Sequence, residues 1–238
     1  MAEGLSIWED IKWQWRNGGM LVKLIMLNLV IWLSMILVKL FIANIAQQTE
    51  LYGLIRNQFV LPSQLSQLVY RPLSFLTHMF YHEGFMHILF NLLWLFTFGK
   101  VFITFLEERR LLPVYLLSGL CGAALYLLIA NFLPHFVTSV GALGASAAVM
   151  GIVFASVAMS PNYQLHFVFI GPVKIKWIAL VLVVLDIVGM SAMNNVGGSV
   201  AHLGGALFGY LFVQQLYKGR DLSEGLQKLF GRKVAKSS

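Results

Sequence analysis

Two short strings in very apolar surroundings hold a serine and a histidine: Gly144-Ala-Ser146-Ala147 and Ala201-His202-Leu-Gly-Gly205. Polar side chains inside a bilayer are costly unless they find partners. If these two partner each other, they supply a nucleophile and a general base: the imidazole takes the hydroxyl proton as the serine attacks an acyl carbon. A second polar pair, His87 and Asn91, is spaced i,i+4 and so shares one helix face. Acyl transfer builds an oxyanion, which is stabilised by donors already aimed at it. An imidazole N–H, an Asn amide and the Ser146 backbone N–H at a helix start would supply three. The bland alternatives are a packing serine bonded to its own backbone, a histidine satisfied across helices, and a structural His–Asn pair between spans.

The elements that would carry these residues follow from composition. Hydrophobic residues make up 58% of the 238 residues, charged residues only 11%, and mean hydropathy is +0.77. Such a chain cannot keep its surface in water, which excludes a soluble domain and makes it an all-α membrane protein. Apolar stretches occur at 20–46, 85–106, 111–133, 146–160, 175–193 and 200–217. A spanning helix needs about 20 residues for a ~30 Å core, so the expectation is one six-transmembrane-helix bundle over 20–217. A segment 1–19 precedes it and a basic tail 218–238 follows.

The net charge of +7 is spread unevenly. Lys12, Arg16, Lys23, Arg109, Arg110, Lys174, Lys176 and the tail lie on one side of the expected spans, while the loops of the other side carry Arg56 and Arg71. That is the positive-inside pattern, with both termini cytoplasmic. It reads the basic tail as a topology anchor, with no nucleic-acid partner. The lone Cys121 lies mid-span and allows no internal disulfide. His135 and His166 fall in loops.

The first outer loop, 47–84, is long and rich in apolar and aromatic residues. Leu51, Tyr52, Leu54, Ile55 and Phe59 recur at helical spacing. It is expected to lie partly embedded in the membrane interface as an amphipathic element. The fourth span is short because Pro161 stops it. Fifteen residues give about 22 Å against a ~30 Å core, which puts Ser146 at the base of a cavity open to the outside. Small residues repeat every fourth position at Ala147, Gly151 and Ala155, and again at Ala201, Gly205 and Gly209. Such stripes let membrane helices approach closely, bringing Ser146 and His202 to similar depth beside the contact.

A zinc site at His82-Glu83 and His87 is excluded by spacing. The metal motif needs histidines one helical turn apart, whereas these are five residues apart with Gly84 between them. No metal and no cofactor are expected. His78 and His82 read as packing or interface residues above the second span.

Together the residues resemble the rhomboid family of intramembrane serine proteases over about 20–217: the long first loop, His87-x-x-x-Asn91, Gly144-Ala-Ser146 and Ala201-His202-x-x-Gly205. The resemblance implies Ser146 as nucleophile and His202 as general base in a dyad with no acidic third member. His87 and Asn91 would stabilise the oxyanion, and the fifth span would act as a lateral gate. Gly144, Ala147, Gly151, Gly205 and Gly209 pack the helices at the site. The chain departs from many family members in having Ala147 after the nucleophile and Tyr70-Arg71 in place of Trp-Arg. Substrates would be transmembrane segments of other membrane proteins, met in the lipid bilayer. The loop style points to a bacterial inner membrane.

Asp186 stands outside this scheme as the only carboxylate within an expected span. It lies roughly 10 Å below the outer surface by helical rise, near the depth of Ser146. It either orients His202 or holds the gate through a polar contact. Two rival functions remain: a rhomboid-like protein that binds or retains membrane clients without cutting them, and a six-span channel or transporter. A transporter would need polar groups across the whole membrane, and here they cluster in the outer half.

Overall fold

The computed structural model describes residues 6–135, 137, 141–192 and 195–230. Met193, at the expected end of the fifth span, and Arg232, Lys233 and Lys236 of the basic tail lie outside the described residues. Eleven α-helices are described: α1 (Ile7–Asn17), α2 (Met20–Val38, continued as a π-helix over Lys39–Ile45), α3 (Thr49–Asn57), α4 (Leu65–Leu68), α5 (Ser74–Thr77), α6 (Phe85–Leu106), α7 (Leu111–Phe132), α8 (Ser146–Met159), α9 (Ile175–Ser191), α10 (Val196–Tyr217) and α11 (Glu224–Phe230). Two small antiparallel ribbons join them: β1 (Leu61–Pro62) with β2 (Gly141–Ala142), and β3 (Gln164–Phe167) with β4 (Gly171–Lys174).

Among the described residues, four helices are long and apolar enough to cross a membrane: Met20–Ile45, Phe85–Leu106, Glu108–Phe132 and Val196–Tyr217. Helices α8, of 14 residues, and α9, of 17, fall short of that length. α10 begins at Val196, four residues before the apolar stretch at 200. Its glycine-rich first turn is polar by composition, yet Val196, Gly197 and Ser199 are buried.

α8 is the centre of the molecule, with nine of its 14 residues buried. It stops at Ser160-Pro161, where the ring removes a helix donor. α10 and α7 pack against it closely because small residues line the contacts. A β-carbon at Gly205 would collide with the Ala147 carbonyl oxygen, and one at Gly209 with that of Gly151. On the other side a β-carbon at Gly122 would stand 2.6 Å from the Ala201 carbonyl oxygen and 2.7 Å from Ala147 Cβ. Lipid tails are as apolar as leucine, so such backbone-to-backbone packing, rather than exclusion of water, holds membrane helices together. Fully buried Tyr115 and Tyr126 and the rings of Phe98, Phe102 and Phe212 fill the remaining core. The Tyr115 hydroxyl donates to the Met79 carbonyl at 3.0 Å, tying α7 to the loop before α6.

The segment between α2 and α6 is folded back on the bundle. Tyr52 and Ile55 of α3 pack with Met35, Val60 and Tyr81, while Leu51 and Leu54 of the same helix face outward. Arg56 pairs with Glu83 at 2.6 Å. Asn131 at the end of α7 donates to the Ser63 carbonyl and accepts from the Leu65 N–H. Pairing of Leu61 with Ala142 and of Pro62 with Gly141 then fastens this segment to the chain leading into α8.

Candidate active site

Ser146 is the first residue of α8, reached through Gly144 at φ 111°. That left-handed backbone favours glycine, and space forbids anything larger: a β-carbon there would lie 2.7 Å from Nε2 of His87. Two backbone donors of this turn are held from the loop before α6. The Gly144 N–H donates to the His78 carbonyl at 2.9 Å, and the Ala145 N–H donates to Nε2 of His82 at 3.2 Å. The strand pair at 141–142 and these two bonds fix the turn that presents Ser146.

His82 and His78 therefore do more than pack. Both are buried, and His78 Nδ1 is bonded to the Ser74 carbonyl at 3.0 Å. Burial pushes the His82 imidazole down to about 3, with the neighbouring His87 ring acting in the same direction. It pushes His78 down to about 4. Both rings are neutral near pH 7, and a neutral ring leaves Nε2 of His82 free to accept. The sequence held a signal in the run His78-x-x-x-His82, one turn apart just before a helix. The partner lies 63 residues away in the chain, so spacing alone does not reveal it.

Ser146, His202, His87, Asn91 and Asp186 line one cavity of about 570 Å³ between α6, α8, α9 and α10. Ser146 and His202 are each half-buried on its walls, brought there by the Ala147–Gly205 and Gly151–Gly209 contacts. No hydrogen bond joins Ser146 Oγ to the His202 ring. Bonds of this kind commonly tighten only once substrate is bound. His87 and Asn91 reach the same space from α6. Asn91 Nδ2 donates one hydrogen to the His87 carbonyl at 2.8 Å, and its second amide hydrogen remains for the cavity. The His82 and His87 rings meet edge to face, 5.0 Å apart.

The resemblance implies a dyad with no acidic third member, and the structure sets a carboxylate beside its histidine. Nδ1 of His202 stands 2.8 Å from Oδ1 of Asp186, on α9. Of the two contacts the sequence left open for Asp186, a bond to His202 or a hold on the gate, the hydrogen bond is to His202. Arg71 lies away from this cavity, its guanidinium hydrogen-bonded to Gln67.

The rhomboid-domain sequence pattern matches residues 68–218, well over half of the chain. The mitochondrial RHOMBOID-like protein 12 of Arabidopsis thaliana is 30% identical over 159 residues, 62% of this chain and 47% of that protein. The mitochondrial presenilin-associated rhomboid-like protein A of Danio rerio is 29% identical over 150 residues, 60% of this chain and 37% of that protein. The matches thus span half or less of those relatives' own length. Both relatives are mitochondrial, which conflicts with the bacterial inner membrane expected from the loops; the chain is an integral membrane protein. The matched stretch holds all the helices that wall the cavity, and by it this chain belongs to the rhomboid family.

Proposed function

We propose that this protein is an intramembrane serine endopeptidase that cuts transmembrane segments of other membrane proteins. The observation that carries the reading is the convergence of Ser146 and His202, from the adjoining ends of α8 and α10, on one cavity that also receives His87 and Asn91. Asp186 occupies Nδ1 of His202, so the base function falls to Nε2. In the reaction Ser146 Oγ attacks the substrate carbonyl carbon while Nε2 takes the hydroxyl proton. The developing oxyanion is met by His87, Asn91 and the Ser146 N–H, a first-turn donor with no acceptor in its own helix. The C–N bond then breaks, the amine leaves with the proton from His202, and water admitted to the cavity hydrolyses the serine ester by the reverse roles.

The short α8 supports a water-reachable site within a bundle of six spans, α2 and α6 to α10, because its start is recessed below the ends of longer neighbours. Phe90 and Trp94 of α6 and Leu182 and Leu185 of α9 line the same cavity. They suit the apolar flanks of a segment arriving between those helices. The first loop, with Val69, Tyr70 and Leu73 exposed beside the bundle, is proposed to lie in the interface.

The test is cleavage of a reporter transmembrane segment by purified protein in detergent. Wild type cuts, while Ser146→Ala and His202→Ala do not. A folded wild type that binds several small-residue reporters and cuts none would leave a client-binding protein in place of a protease.

A further inference from the structure

We infer that Asp186 is a positioning residue for His202, fixing the tautomer and orientation of the ring from the neighbouring helix. This rests on the protease reading for its catalytic consequence. α9 leaves Leu180, Val181, Val184, Ile187 and Val188 exposed, and only Ile175, Ala179 and Asp186 are buried. The one carboxylate in helices α2 and α6 to α10 is therefore the side chain this exposed helix sends inward. A carboxylate within a membrane-embedded helix is costly to desolvate, and an apolar residue would pack the same position without that cost. What an apolar residue cannot do is accept a hydrogen bond.

Among the described residues, the hydrogen-bond partner of this acceptor is His202. Oδ1 lies 2.8 Å from Nδ1 of His202, with the Asp186 side chain 11% exposed and the His202 side chain 22%. Nδ1–H donates to the carboxylate, which leaves the lone pair on Nε2. The carboxylate also stabilises the imidazolium formed as Ser146 attacks. Asparagine has nearly the same shape but inverts this arrangement: its amide N–H donates to Nδ1 and moves the ring hydrogen to Nε2, where it blocks the base.

Asp186→Asn and Asp186→Leu test the assignment together. The expected result for Asp186→Asn is a kcat lower by about 10²–10⁴, with KM changed by no more than about twofold and the melting temperature held. Nitrogen-15 NMR of His202 should move the ring hydrogen from Nδ1 in wild type to Nε2 in the variant. A purely structural or gating role predicts the opposite: kcat kept in Asp186→Leu, or a loss confined to KM or melting temperature. Either pattern, or an unchanged tautomer in Asp186→Asn, overturns the inference. The NMR arm reads the ring directly, so it decides the matter even if wild type cuts no reporter and the protease reading fails.

Discussion

His87 and Asn91 face the cavity from one helix, a turn apart, and their contribution is separable from that of the nucleophile. A donor that meets only the developing oxyanion stabilises the transition state and not the bound substrate. Replacing either by alanine is expected to lower kcat by about 10–10³ with little change in KM, read from steady-state cleavage of the reporter. His82 acts on structure instead. Its Nε2 satisfies the buried Ala145 N–H, and a buried donor left unpaired costs about 1–3 kcal/mol. Because His82 and His78 are held far below their ordinary 6.5 by burial, the unfolded chain takes up protons that the fold refuses once the pH drops below that value. Stability is full above it and falls by up to about 1.4 kcal/mol per pH unit for each ring on the way down. The melting temperature in detergent should therefore drop from about pH 7 to about pH 5, and less steeply in His82→Gln, which keeps an acceptor but does not titrate. The residues carrying the proposed chemistry were visible in the sequence because each sits in a short local string. The His82–Ala145 bond was not, because it joins two elements whose mutual rotation no spacing rule fixes; Asp186 was legible only as either an orienter of His202 or a gate contact, since no spacing rule sets which way α9 turns.

At the scale of elements, the contact between α8 and α10 decides whether the cavity exists. Gly205 and Gly209 place two helix backbones against each other with no room for a methyl group. Gly205→Ala should push the helices apart, costing about 1–3 kcal/mol or more, and should lower activity along with the melting temperature. Gly225→Ala on α11, where nothing lies within 4 Å, is the matched control and should leave both unchanged. The small-residue stripes marked these helices in the sequence. The β1–β2 ribbon escaped notice, since two residues per strand show no alternation, yet it anchors the turn before Ser146. Length and apolarity identify four long spans, while α8 and α9 are short and were legible only as apolar runs bounded by a proline or by lysines.

For the molecule as a whole, polar groups separate to the two ends of the bundle. At one end Arg110 pairs with Asp221 at 2.8 Å, Glu108 accepts from the Met20 N–H at the start of α2, and Lys218 and Arg220 follow α10. The folded first loop and the start of α8 lie at the other. Helix α1, opened by a capping box at Ser6 and Glu9, carries exposed Trp8, Trp13 and Trp15 beside Lys12 and Arg16, side chains suited to a membrane interface. Tags before α1 and after α11 should be reached by protease from the same side of sealed vesicles, and a tag in the first loop from the other. A tail tag on the loop side would contradict the six-span arrangement.

The most direct test of the central claim is covalent capture of the nucleophile. Purified protein is treated with a fluorophosphonate, which reacts with a serine only where a base takes its proton, and the labelled residue is mapped by mass spectrometry. Labelling is expected at Ser146 and is expected to disappear in His202→Ala while the protein stays folded. No labelling of folded wild type, or labelling of Ser146 that persists without His202, would contradict it.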